Sequence, residues 1–571
     1  MSKVDLVVRG GTVVDGSGGA LFEADVAIDS GKIVAIGRVA ETGREEIDAS
    51  GLVVTPGFID VHTHYDGQLT WAEQLSPSSN HGVTTVVAGN CGVGFAPCRE
   101  GDRDSLMRLM EGVEDIPAAT MAEGLPWDWE SFPDFLDSLE CRNHDIDFAI
   151  LLPHSPLRVY VMGQRAIDLE PATDDDLAMM RALTRDAAKA GAIGFGTSSN
   201  IVHRARDGTP IPSLAADERE LREIALGLSD AGRGVLQAIT VHGTPTVADY
   251  EMFRRVSQAS GRPISFSLLQ QHTEAETWRE IVALMDRDNV GEANMKAQVF
   301  NRAVGVILGL DVTMNPFSGH TYYTDHLAPL PLAQRVAEMR RPETRAMLLQ
   351  SGPVGISPEG ASFMRYDKMF VMDELPDYEP EPSTSIAAIA AARGATPMEI
   401  LYDMVLEDDG RAKLMCTATN YRDGNLNSVL ELLKRDDTVM ALGDGGAHCG
   451  MICDSSYSTF ALTHWVRDRK HGERLTLPDA VRMLTDEPAR LYRFRDRGRL
   501  EVGLKGDLNV IDMDQLELHV PTVAHDLPGG GKRLLQAAKG YRATVVAGIQ
   551  TRLNDEDTGF RPGRLVRNAG I

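Results

Sequence analysis

Cysteine is scarce: six in 571 residues, at positions 91, 98, 141, 416, 449 and 453. So sparse a scatter builds no disulfide framework, and a reducing, cytoplasmic setting is expected. Basic residues are also short, 57 Lys+Arg against 83 Asp+Glu, for a formal charge of −26. That balance opposes non-specific attraction to nucleic acid or an anionic membrane, so neither is an expected partner. It leaves room for an anionic small substrate, because a local site can oppose the global sign. Long apolar runs are missing too. Near the middle of the chain the longest uncharged apolar run, Ile386–Ala392, has seven residues, which excludes a spanning helix there. The opening MSKVDLVVRGG has no apolar h-region or small-residue cleavage site, so no signal peptide is expected. There is no internal repeat, heptad pattern or low-complexity tract. What is present, 43% hydrophobic and 25% charged residues, is the balance of a folded globular chain. A chain this long can bury roughly three quarters of its unfolded surface, so no disulfide or metal is needed merely to hold a core.

The first fifty residues read as short strands broken by glycine turns, and so do the last seventy, around DLPGGGK. Two β-rich ends predict one small β-sandwich domain built from residues 1–54 and 497–571. Between them, over 55–496, short apolar runs alternate with helical patterns, the signature of βα units around a parallel sheet. The runs are Val53–Ile59, Thr84–Ala88, Phe148–Leu152, Ile193–Thr197, Val235–Ile239, Ile264–Leu269, Val312–Met314 and Val439–Leu442. Helical patterns at Asp174–Ala190, Ala216–Asp230, Val247–Ser260 and Trp278–Asp288 separate several of them. Eight such units predict an α/β fold, a TIM-like (β/α)8 barrel. The run Lys296–Val299 competes for the seventh place. The long interval before the last strand predicts an inserted lid or loop subdomain over about 320–381.

The chemistry concentrates in GFIDVHTHYDG, Gly57–Gly67. On a strand, His62 and His64 share one face, and the C-terminal end of the first barrel strand aims that face into the mouth. Neutral imidazoles are common ligands for zinc and similar divalent ions. A bare His-x-His pair is more often two ordinary histidines, but the Pro-Gly-initiated strand before it and Asp66 after it favour metal. The second strand ends TTVVAGNCG, which places Cys91 just past it, as a soft ligand or simply a buried thiol. The eighth ends TVMALGDGGAHCG, with Asp444 at its edge. A carboxylate there suits a ligand and general base, or equally a turn cap. His448 reads as a second proton carrier or a turn histidine.

Together these segments resemble the amidohydrolase superfamily, most of all its D-aminoacylase branch, the N-acyl-D-amino-acid deacylases. The likeness runs from VRGGTVVDGSG to GLKGDLNVIDMD, nearly the whole chain. It implies a metallo-barrel with a β-sandwich made from both termini, a divalent metal, zinc above others, held by His62, His64, Cys91 and Asp444, and Asp444 as general acid/base. The middle departs from the branch. Its members carry metal-binding histidines at the ends of the fifth and sixth strands, where this chain reads GVLQAITVHG and PISFSLLQQH, with Ile239 and Leu268 at the expected places. His242 or His272 could substitute only by local rearrangement. The fourth strand, GFGTSSN, lacks the bridging lysine of other superfamily members. One ion is therefore expected, and not two.

Further candidates are His154 and Arg158 for a substrate carbonyl or carboxylate, and Asn315, His320 and Tyr322 as pocket-wall donors. Asn420, Tyr421 and Arg422 are comparable. The glycine segments GVGFAP and PGGGK lack the strand-Gly-helix frame of a phosphate loop. The expected function is metal-dependent hydrolysis of a non-peptide amide C–N bond in a small acylated amine, with a deaminase, cyclic amidase or decarboxylase on the same fold, or a non-catalytic binding protein, as alternatives. A homo-oligomer is compatible with this size.

Overall fold

The computed structural model describes residues 3–240, 243–274, 276–289, 294–350 and 365–567. Its centre is an eight-stranded parallel sheet whose strands, in chain order, are Phe58–Asp60, Val83–Ala88, Asp147–Pro153, Gly194–Ser198, Val235–Ile239, Ile264–Ser267, Met295–Val299 and Thr438–Met440. Every neighbouring pair along this order is parallel. The strands are buried almost throughout, because helices cover the outside and side chains fill the inside. Helices Asp174–Ala190, Glu218–Asp230, Val247–Ser260 and Thr277–Asp288 lie where their apolar periodicity predicts them. Thr173, Asp217 and Thr246 cap three of them by accepting a backbone N–H three residues on. The ring is completed at the mouth by backbone bonds between the first and eighth strand ends: His64 N–H to Gly445 O at 2.7 Å and Asp444 N–H to His62 O at 3.0 Å. The bonds that close the barrel therefore also set His62, His64 and Asp444 beside one another.

Two strand assignments differ from the sequence expectation. Val53–Ile59 is not one strand. Val53–Pro56 belongs to the terminal sheet and the barrel begins at Phe58, with Gly57 between them, where an added Cβ would fall 2.1 Å from Thr84 Oγ1. The seventh strand is Met295–Val299, and Val312–Met314 lies in the following loop. Lys296, reaching out to the Asp436 carbonyl, and Gln298, pointing inward to the site, break up the apolar run that would have announced it.

Both chain ends meet in a single nine-stranded ladder. Val53–Pro56 joins them, parallel to Lys3–Val13 and antiparallel to Leu508–Ile511. The core of this sheet, including Leu6, Val8, Val26, Ile28, Leu508, Val510, Ala543 and Val545, draws on both termini. Between the seventh and eighth barrel strands stands a separate three-stranded antiparallel sheet of Val304–Leu308, Met369–Met372 and Lys413–Thr419. Helices Leu332–Met339, Ile386–Arg393 and Pro397–Val405 pack on it around their own core, so the inserted unit reaches well beyond 320–381 on both sides. Among the described residues no helix is long and apolar enough to cross a membrane.

Candidate metal centre

His62, His64 and Cys91 each direct one ligand atom into a common point, all within 4.8 Å of one another. His62 Nε2 lies 3.4 Å from Cys91 Sγ and 3.5 Å from Asp444 Oδ1, and His64 Nε2 lies 3.6 Å from the same Asp444 oxygen. Zinc bonds of about 2.0–2.3 Å in a tetrahedron place neighbouring donors about 3.3–3.6 Å apart, the spacing of these contacts; His62, His64 and Cys91 form the mutually close set, and Asp444 approaches it on the side of the two histidines. Cys91 and Asp444 hold positive φ angles of 54° and 49°, left-handed conformations that non-glycine residues adopt at a cost. Gly446, at φ +92°, passes so close to the first strand that a Cβ would sit 2.7 Å from His64 O.

Groups behind these donors fix their orientation. His62 Nδ1 is 2.7 Å from Gln298 Oε1 on the seventh strand. With its Nδ1–H donated there, the Nε2 lone pair is left for the shared point. The Cys91 backbone N–H donates to Gln237 Oε1 on the fifth strand at 3.2 Å. Burial lowers the pKa of His62 to about 4, despite the raising effect of Asp444, and that of His64 to about 3, so both imidazoles are neutral and able to coordinate. Burial, then the charges of Glu114, Asp444 and Asp66, push the Cys91 thiol well up. Burial also raises Asp66 to about 7. A pocket that gathers Glu114, Asp66, Asp444 and a cysteine this tightly favours a cation. The donor set of two imidazoles, a thiol and a carboxylate fits zinc.

Comparison with known proteins settles the family. Residues 45–551 match the amidohydrolase family. The chain belongs to it. That family is one of metal-dependent hydrolases of C–N bonds. Among relatives, N-acyl-D-glutamate deacylase of Alcaligenes xylosoxydans xylosoxydans is 28% identical over 99% of this chain and 97% of its own length. D-aminoacylase of the same organism is 34% identical over 46% of this chain, and the match spans only 50% of that enzyme. The crystal structure of N-acyl-D-glutamate deacylase from Bordetella bronchiseptica, with zinc and a phosphonate mimic of the tetrahedral intermediate, superposes with a TM-score of 0.65. That superposition covers 99% of this chain and 100% of the other at 22% identity, a likeness of fold.

Other sequence-predicted residues fall elsewhere. His154 and Arg158 are not free for substrate. Both are buried and both are tied to Glu220, which takes His154 Nε2 at 2.6 Å and pairs with Arg158 Nη1, while His154 Nδ1 lies 2.8 Å from Thr197 Oγ1. They hold the third strand's helix to the helix after the fourth. Asn315 lines a 1350 Å³ cleft between the insertion and the 522–535 hairpin, and its Oδ1 accepts the Phe317 N–H. Tyr322 packs against His326 at 4.9 Å, and His320 Nδ1 accepts the Tyr322 N–H. Neither Asn315 nor Tyr322 joins the metal cluster. Asn420 is a staple between backbones, accepting from Gln270 N–H and donating to Phe300 O and Arg302 O. His242 lies outside the described residues. His272 is not among the clustered donors, and the charges acting on it are those of Lys368, Arg365 and Asp367.

His448 does face the centre, its ring 6.1 Å from that of His64. Burial lowers its pKa to about 4. Three residues at the site were missed in the sequence. Gln298 was hidden by the misplaced seventh strand. His203, in the loop after the fourth strand, lies 2.9 Å through Nδ1 from Ser198 Oγ and feels the charges of His448, His64 and His62. Its position just past a strand end was a signal that could have been used. Glu114 follows the helix Arg103–Val113 in an ordinary acidic stretch and carries no local signal at all.

Proposed function

We propose that this protein is a zinc-dependent deacylase that hydrolyses the amide bond of N-acyl-D-amino acids. The observation that carries the proposal is the cluster of His62, His64 and Cys91, with Asp444 Oδ1 3.5 and 3.6 Å from the two histidines, at the mouth of an amidohydrolase barrel. The substrate class is supported by the names of the relatives, a D-aminoacylase and an N-acyl-D-glutamate deacylase. His62, His64 and Cys91, with Asp444 beside them, would hold the ion. When bound, it supplies Lewis acidity, which brings the pKa of water from about 15.7 toward about 7 and polarises a carbonyl. Asp444 accepts the proton of the attacking water at Oδ2, the oxygen not facing the histidines, and returns it to the nitrogen as the C–N bond breaks. A single ion serves, because Gln237 stands inside the fifth strand and Ser265 and Ser267 on the sixth, with no histidine on either strand to hold a second.

Asp444→Asn tests the proton role. On folded, metal-saturated protein its loss should cost about 10²–10⁴ in turnover of an N-acyl-D-amino acid. Near-wild-type turnover at full metal content would remove Asp444 from the mechanism. The substituted fifth and sixth strands favour, as a second reading, another reaction of the same fold. Product mass separates the two: hydrolysis gives a free amine and acid, and a deaminase releases ammonia.

A further inference from the structure

Glu114 has 1% exposure, and among the described residues its carboxyl oxygens lie near the ring nitrogens of two neutral histidines and pair with no lysine or arginine. Its Oε1 lies 3.3 Å from His64 Nδ1, and its Oε2 lies 3.4 Å from His448 Nε2. A lone buried carboxylate is costly, so a residue kept in this place needs compensating partners. Local architecture does not require the side chain. The Glu114 backbone carbonyl accepts the His448 N–H, and Asp115 Oδ2 accepts the Gly450 N–H at 2.8 Å and the Thr313 hydroxyl at 2.9 Å. These bonds clamp the loop after the eighth strand whatever stands at the tip of residue 114.

We propose that Glu114 is a positioning residue that orients His64 and His448 from one carboxylate. Resting on the metal reading of His64, its Oε1 faces the Nδ1 edge of that ring at 3.3 Å, a contact that tightens into a hydrogen bond when Nε2 turns onto the ion beside Cys91 and Asp444. Its Oε2 faces the Nε2 edge of His448 at 3.4 Å, without hydrogen-bond geometry, and leaves the likewise unbonded Nδ1 as the nitrogen available to the reacting groups. Carboxylates behind metal-bound histidines raise ligand basicity and fix the tautomer. Here one such group also sets a second imidazole, so metal affinity and proton handling share a single anchor.

Glu114→Ala and Glu114→Gln in the full chain test this. Cobalt(II) and zinc affinities are measured by chelator competition, the cobalt d–d and thiolate bands are recorded, and kcat is taken at saturating metal. For Ala, affinity should fall about 10–100-fold, with shifted cobalt bands and lowered kcat. Glutamine offers one acceptor oxygen to two imidazole N–H groups, so it should restore one of the two readouts and not the other. Wild-type affinity and spectrum in folded Glu114→Ala would overturn the proposal, and so would Gln values equal to Ala in both readouts. If Ala does not fold, Gln decides alone, and wild-type values in both readouts sink the idea. A wild-type protein that binds no cobalt would instead defeat the metal reading itself.

Discussion

Replacing Glu379 by glutamine should destabilise the protein by about 3 kcal/mol at neutral pH, and this loss should vanish in acid. Glu379 lies just past the insertion strand Met369–Met372 and is buried, with 2% of its side chain exposed. Its oxygens take His464 Nε2 at 2.8 Å, Arg469 Nε and Nη2 at 3.0 Å each, and the Leu426 N–H at 2.7 Å. It thereby clips the returning chain of the insertion to the helix Asn427–Leu433 and to the segment ending at Arg469. Burial alone would raise its pKa, but the bonds from His464, Arg469 and Leu426 outweigh that and hold it at about 2, down from 4.5. At about 1.4 kcal/mol per tenfold change in proton affinity, the depression is worth about 3 kcal/mol. The folded value lies below the unfolded one, so the stabilisation is complete above about pH 5 and is lost as pH falls through about 2. At pH 3 less than half should remain. Urea midpoints of wild type and Glu379→Gln at pH 7, 5 and 3 check this. A gap that persists unchanged at pH 3, or no gap at pH 7, would refute the reasoning.

Four further substitutions separate scaffold from site. His154→Leu and Arg158→Met each leave Glu220 with a lost partner in a buried cluster, so thermal stability should drop, by an amount on the order of 3–5 kcal/mol for the arginine, while KM of the surviving enzyme stays unchanged; a raised KM with unchanged stability would return them to the substrate. Gly446→Ala forces a Cβ to 2.7 Å from His64 O at φ +92° and should lower zinc occupancy in equilibrium dialysis, with occupancy equal to wild type as the contrary result. Cys91→Ser replaces a soft donor by a hard one and should abolish the thiolate-to-cobalt band while the circular dichroism spectrum stays that of wild type; persistence of the band would place the thiolate elsewhere.

Periodicity made the barrel legible wherever strands are uniformly apolar, and the helices Asp174–Ala190 and Val247–Ser260 fall on their expected bounds. It failed at the seventh strand for a functional reason. A strand that contributes Gln298 to His62 carries polarity into the barrel, and a reading based on apolar runs discards it. At the centre, strand-end position put His62 and His64 on one face toward the mouth, whereas Cys91 and Asp444 were even between ligand and bland roles by position and entered the ligand set through the family resemblance; His62, His64 and Cys91 do converge. His154 and Arg158 looked equivalent by that rule, but Glu220, 62 residues further on than Arg158, claims both, and no local pattern reveals so distant a partner. Glu114 shows the converse: helix and loop packing bring an ordinary acidic residue between two histidines that lie 50 residues before it and hundreds after.

The most direct test of the account is anomalous diffraction at the zinc absorption edge from crystals of the protein grown with zinc. One peak is predicted, bonded to His62 Nε2, His64 Nε2, Cys91 Sγ and Asp444. No peak at that point, or a full second peak supported by the fifth and sixth strands, would contradict it.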